Sequence, residues 1–204
     1  MWALNRIFVV DSAGNKKRVF FIPGVVISFK GKNSEVVFHK PLPKFKYCKF
    51  VCGDNCYIEI GSSNYLIKKL RILVQGDNSI CKIGDNFSLV NTCEIVARPA
   101  SNTSVEIGND CMFASRILIR SQDGHIVRDL ATHNILNPSK NVKIGNHVWI
   151  ANDVTILKGV NIQDNTAIGL GAILTQGEYL SNSVYAGVPA KLVKSNVTWE
   201  RESP

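Results

Sequence analysis

The chain has 204 residues, 45% of them hydrophobic, and carries 24 basic against 16 acidic side chains, a formal net charge of +8. That is enough apolar chain for one domain with a long core, and no linker or low-complexity tract divides it. Met1 to Val10 holds one Arg and an apolar run too short to cross a membrane, without a small-residue cleavage site, so the expectation is a cytoplasmic protein with no membrane span. The basic residues are dispersed (Lys16-Lys17-Arg18, Lys44 to Lys49, Lys68-Lys69 to Arg71) with no aromatic stacking motif beside them. This argues against nucleic acid and leaves either a solvated surface or attraction of anionic substrates.

Along the chain a unit of eight residues recurs: 31–38 (GKNSEVVF), 53–60 (GDNCYIEI), 76–83 (GDNSICKI), 100–107 (ASNTSVEI) and 137–144 (NPSKNVKI). The closing positions 38, 60, 83, 107 and 144 are separated by 22, 23, 24 and 37 residues. The first three intervals read as 18-residue coils with extra corner residues, and the last as one coil plus a coil's length of chain that leaves the repeat between Ile119 and Val142. An excursion of that size within a compact repeat is usually functional.

After the excursion the period tightens to six: Ile144, Ile150, Ile156, Ile162, Ile168 and Leu174. Neither an isolated helix at 3.6 nor a free strand at 2 has this period, so the chain must turn at fixed intervals, three hexapeptides to a triangular coil. Four places after each ladder residue stands a compact or β-branched one, Val148, Val154, Val160, Thr166 and Ala172, also inward. Between them lie Gly, Asn and Asp corners such as Gly145-Asn146-His147, which tolerate positive φ. The reading is all-β: irregular N-terminal coils over 1–104, regular coils over 105–191, a short C-terminal tail over 192–204, and one excursion loop at about 120–141. The six cysteines have no Cys-x-x-Cys pair, and Cys81 and Cys111 fall on inward positions, so reduced, packing thiols are expected.

His125 stands 18 residues after Ile107, where the next ladder residue belongs, so the chain leaves the repeat at an imidazole with the setting of a general base. Asp123 or Asp129 could orient its second ring nitrogen; a loop histidine bonded to backbone is the competing reading. His147, on an outward corner, His133 and His39 rank lower, and no three histidines have a zinc spacing, so no metal is expected. Counting in eighteens stacks Trp149 under Ala167 and Tyr185, and Ala151 under Gly169 and Gly187. The small-residue column is either a furrow for an extended ligand with amides of its own or tight coil packing. Lys158, stacked under Gln176, and Lys191 are candidates to meet phosphate.

The stretch from Val142 through Trp149 to Val160, followed by Ala186-Gly-Val-Pro-Ala-Lys191, resembles the hexapeptide-repeat acetyltransferases of left-handed β-helix fold. With Asp123-Gly-His125 placed 24 residues before Trp149, and Asn196-Val-Thr-Trp199 after them, it is most similar to bacterial polysialic acid capsule O-acetyltransferases. The resemblance implies a left-handed parallel β-helix, acetyl-CoA as co-substrate, an acidic or neutral glycan acceptor, and a homotrimer with inter-subunit active sites. It implies His125 as catalytic base and Trp149 as a second catalytic-site residue, with a cofactor groove along Ala151, Lys158, Ala167, Gly169, Thr175, Tyr185, Gly187 and Lys191. An N-acetyltransferase of an amino-sugar nucleotide, a xenobiotic acetyltransferase and a non-catalytic solenoid binding module are the alternatives.

Overall fold

Residues 4–98 and 102–202 are described by the computed structural model; Ala100 and Ser101, which open the fourth repeat unit, lie outside them. Every repeat closure stacks in parallel register on the next: Val9 on Phe38, then Ile60, Ile83, Ile107, Ile144, Ile162 and Tyr179. These strands form one nine-stranded sheet, and a 13-stranded sheet wraps the other two flanks of the coil. The wrap is visible in the long strands Ser88–Ala97 and Met112–Arg120, which bend at Thr92 (φ 60°) and Arg116 (φ 57°). Met112 then pairs with Trp149 on one flank and Leu118 with Thr155 on the next.

The corners turn through single left-handed residues. One column is Asn33, Asn55, Asn78 and Asn102, another Asn86, Asp110, His147, Asn165 and Asn182, all with φ between 51° and 58°. Asn and Asp lead because their short polar side chains tolerate this region, and they bond from coil to coil, as Asn55 Nδ2 does to Asp77 at 2.9 Å. Inside, the aliphatic ladder forms one continuous core whose members Ile58, Ile60, Ile72, Ile95, Ile119, Ile150, Ile156, Ile162 and Ile168 are fully buried. Each such side chain contributes about 1.5–3 kcal/mol by leaving water. Outside, Glu59, Lys82, Glu106 and Lys143 stack with alternating sign on adjacent strands, where opposite-charge neighbours favour the native register. All six cysteines are free and buried, and burial pushes the Cys111 thiol up to about 12.

The count of eighteen fails in the last coil. Thr155 pairs with Ile173, 18 residues on, but Val160 pairs with Gly177, 17 on, so one corner residue is missing after Leu174. From there every side chain shifts by one: Val184, not Tyr185, continues the Trp149–Ala167 column, and Ala186, not Gly187, stands over Gly169. Tyr179 and Tyr185 turn inward, their rings edge to face at 5.0 Å, and plug that end of the core. Tyr179 Oη donates to Thr175 O, and Tyr185 Oη accepts from Leu180 N.

Antiparallel strands close both ends. Lys16–Val19 folds back on Arg6–Val10, and Lys191–Ser195 on Ser183–Ala186 beyond the cis Val188–Pro189 bond. Their lysines line edges that would otherwise pair with another chain. The tail expected from residue 192 is therefore a strand, and its continuation is a strap. Trp199 is buried, donating from Nε1 to His147 O at 2.8 Å, and Arg201 reaches Asp110 Oδ1 at 3.0 Å and Ser88 Oγ at 2.8 Å. No helix among the described residues is long and apolar enough to cross a membrane.

Candidate active site

The excursion begins at a narrow neck. Buried Ser121 accepts at its carbonyl from Lys140 N at 3.0 Å, so residues 122–139 project as a closed loop from the corner after the strand Met112–Arg120. Inside the loop Arg128 and Ile135 form an antiparallel bridge, and Leu136 N donates to Val127 O at 2.8 Å. Gly124 turns the chain at φ 99°, a conformation L side chains avoid, and donates to Gln122 Oε1.

Asn137 ties this loop together. Its amide donates to Asp123 Oδ2 at 3.0 Å and His125 O at 2.8 Å, while its Oδ1 accepts from Val127 N at 2.7 Å. Lys158, from the solenoid below, donates to Asp123 Oδ2 at 2.5 Å and Asn137 O at 2.9 Å. The Lys158 bond, with Asn137 adding to it, holds the Asp123 carboxyl below the usual carboxylate range. The His125 backbone is thus pinned from two sides, while its exposed ring lines a cavity of about 460 Å³ with Asn102, Gln122, Ile135 and Ser139. Among the described residues no hydrogen bond engages the His125 ring, which leaves its nitrogens open to an incoming hydroxyl.

Several expected partners are placed elsewhere. Asp123 serves Lys158 and Asn137 instead of the His125 ring. Asp129 accepts from Ala131 N, Thr132 N and Thr132 Oγ1, closing its own turn. Lys158 stands in the anchor of the loop and not along the small-residue column, because the excursion passes directly over its corner. Trp149 is 38% exposed on the flank of Met112 and Ala167, and does not line the His125 cavity of the same chain. His147, ranked low from sequence, joins two segments: Nδ1 meets Asp110 Oδ2 at 2.6 Å, Nε2 meets Trp199 O at 3.0 Å, and its ring stacks on Trp199 at 4.2 Å. Partial burial pushes Asp110 up, but the bonds from His147 and Arg201 outweigh it and leave its carboxyl below the usual range.

No protein-family model matches the chain. Over 161 residues, 74% of each chain, it is 35% identical to the polysialic acid O-acetyltransferase of Neisseria meningitidis. It is 34% identical over 98 residues to the enzyme of the same description from Escherichia coli O1:K1, a match that spans 48% of this chain and only 32% of that relative. Among solved structures, the polySia-specific acetyltransferase NeuO superposes with a TM-score of 0.69 at 26% identity, covering 97% of this chain and 89% of that one. The chain belongs to the hexapeptide-repeat acetyltransferases. Its solenoid is accordingly a left-handed parallel β-helix, an exception to the right-handed rule for parallel crossovers.

In this hexapeptide-repeat acetyltransferase the small-residue column is Ala151, Gly169 and Ala186. A Cβ on Gly169 would come within 2.8 Å of the Ala186 Cβ, so close coil packing requires glycine there. The column is bordered outside by exposed Leu170 and Val188, and its far end carries Lys191 and Lys194, exposed and in no ion pair among the described residues. An extended pantetheine arm ending in phosphates fits that combination of shallow apolar border and unpaired cations. Thr175 is exposed at the next corner, past the Ile173–Leu174 strand from the column, its backbone N–H and C=O both bonded to the Tyr179 hydroxyl. Gln176 accepts from Lys140 Nζ at 2.6 Å. Among the described residues no three His, Cys, Asp or Glu side chains converge as a metal site. The residue of the His125 loop that the sequence did not single out is Asn137, which ties the loop together. Its only signal was its place just before Pro138, at the start of the fifth repeat unit, where the chain must rejoin the solenoid.

Proposed function

We propose that the protein transfers an acetyl group from acetyl-CoA to a hydroxyl of a bacterial surface polysaccharide, a capsule or lipopolysaccharide sugar such as sialic acid, acting in the cytoplasm. The observation that carries this reading is His125: an exposed, unengaged imidazole on a loop pinned by Asn137 and Lys158, beside a cavity, in a chain of this family. His125 takes the proton of the acceptor hydroxyl as its oxygen attacks the thioester carbonyl. The carbon–oxygen bond forms, the carbon–sulfur bond breaks, and the thiolate leaves with coenzyme A. Backbone amides or the Trp149 indole N–H hold the developing oxyanion. A cysteine acyl-enzyme is disfavoured, because all six thiols are buried and burial pushes that of Cys111 up.

One solenoid carries His125 at a corner and Trp149 on another flank, so both serve a single thioester when a neighbouring copy lays its Trp149 flank against the loop. This favours a homotrimer with sites between subunits. The exposed apolar side chains Ile126, Val127, Leu130, Ile135 and Leu136 at the loop support the same contact, since an isolated protein rarely leaves such a patch in water. The net charge of +8 favours an acidic acceptor. The test is the His125→Ala variant: acetyl transfer to hydroxyl polymers should fall by about 10² to 10⁴ while acetyl-CoA binding by calorimetry persists. Near-normal turnover would remove His125 from this role, and transfer to amino sugars in place of hydroxyl polymers would overturn the acceptor class.

A further inference from the structure

The hairpin end of the solenoid carries a surface that acetyl transfer does not use. Phe20 and Phe21, at the end of the edge strand Lys16–Val19, are 86% and 74% exposed. They border a depression of about 760 Å³ lined also by Val9, Leu42, Lys17, Arg18 and Lys40. The other charges there are already engaged: Lys16 pairs with Glu35 and lies over the Phe8 ring at 4.2 Å, and Asp11 accepts from Ala13 N and Asn15 N of its own turn. Lys17, Arg18 and Lys40 are exposed and form no ion pair among the described residues, Lys40 lying within electrostatic reach of Asp11.

We propose that this end docks on an anionic phospholipid bilayer, with Phe20 and Phe21 entering the headgroup boundary and Lys17, Arg18 and Lys40 facing lipid phosphates. Two adjacent phenylalanines in water are an apolar patch without a polar handle, and basic side chains beside them supply the complementary charge that selects an anionic interface. A glycan is the weaker fit, because sugar recognition needs fixed hydrogen-bonding side chains around the aromatic faces, and those of Asp11 and Asn15 are occupied with each other. The edge strand Lys16–Val19 lies five strand steps from Ser104–Ile107, the coil nearest the excursion, through Arg6–Val10, Glu35–His39, Tyr57–Ile60 and Ile80–Ile83. At about 4.8 Å per step the His125 loop stands roughly 24 Å from the bilayer, so docking leaves it open to acceptor.

The experiment is co-sedimentation of the full chain with vesicles of phosphatidylcholine alone or mixed with phosphatidylglycerol. The wild type should pellet only with the anionic vesicles and be released by salt. Lys17→Glu/Arg18→Glu should weaken partitioning by at least about fivefold per removed cation, and Phe20→Ser/Phe21→Ser should weaken it by about tenfold or more. Both variants should keep the wild-type melting temperature, since these side chains are exposed. The proposal is overturned if the wild type stays in the supernatant with anionic vesicles, or if the phenylalanine variant pellets like the wild type. It is equally overturned if the same variants lose only self-association in the ultracentrifuge, or only retention by a soluble polyanionic polysaccharide, with vesicle binding unaffected.

Discussion

Replacing Lys158 with Met distinguishes a loop anchor from a cofactor contact. The Lys158 side chain is only 16% exposed, so the isostere keeps the packing of its methylenes and removes the bonds to Asp123 Oδ2 and Asn137 O. A charge-assisted hydrogen bond in a protein is worth about 1.5–3 kcal/mol. Asp123 keeps 43% of its side chain exposed, however, and solvent screening brings the net value down to about 1 kcal/mol. One kcal/mol is about fivefold in an equilibrium, so the amides of residues 123–137 should exchange with deuterium on the order of fivefold faster, while those of the Val142–Ile144 strand keep their protection. The looser His125 should lower kcat about tenfold, as sub-ångström misplacement of a catalytic group does, and the KM for acetyl-CoA should stay within twofold. Unchanged exchange in the loop together with a raised acetyl-CoA KM would refute the anchor role and return Lys158 to the cofactor groove.

Phe113→Ala empties a fully buried site whose ring meets Phe87 edge to face at 4.9 Å. It should cost about 3–5 kcal/mol, a fall of about 6–20 °C in melting temperature by calorimetry for a chain of this size; a fall of a degree or two would contradict the continuous core. Arg201→Gln frees the strap from Asp110, Ser88 and Asn86, and limited proteolysis should then clip near residue 196 faster than in the wild type. Asp110 lies below the usual carboxylate range in the folded protein. Its stabilisation is therefore fully present above the unfolded Asp value of about 3.9 and is lost as pH falls through the lower folded value. The melting-temperature gap between wild type and Arg201→Gln should accordingly be constant above about pH 5 and close below it; a gap that widens in acid would reverse the sign. A thiol reagent should label none of the six buried cysteines until the protein unfolds, and rapid native labelling of Cys111 would contradict its inward position.

The coil period, the inward ladder and the place where the repeat breaks were all legible in the sequence, because a solenoid stacks each residue on one a fixed number away. Counting alone thus put Ile60 on Ile83, Ile107 on Ile144 and Cys81 on Val105 before any coordinate. The same arithmetic misplaced Tyr185 and Gly187, since a single absent corner residue after Leu174 is invisible until the pairing of Val160 with Gly177 is seen. The solenoid also extends back through Arg6–Val10, where the repeat unit has lost its Gly-x-Asn opening but keeps its alternating apolar strand.

For the site the division is sharper. The sequence determined by itself that His125 leaves the scaffold, and that Trp149 lies in a column with Ala167, because both follow from periodicity. Which groups touch His125 was decided by the tertiary structure alone. Inside the excursion there is no period to count, and the contacts of Asn137 with Asp123, His125 and Val127 come from a loop folded on itself. Long-range bonds such as Lys158 to Asp123 and Arg201 to Asp110 span 35 and 91 residues, so their polar partners are chosen by which corner the chain happens to cross. The repeat fixes a residue's position when the backbone repeats, and only packing fixes it where the backbone does not.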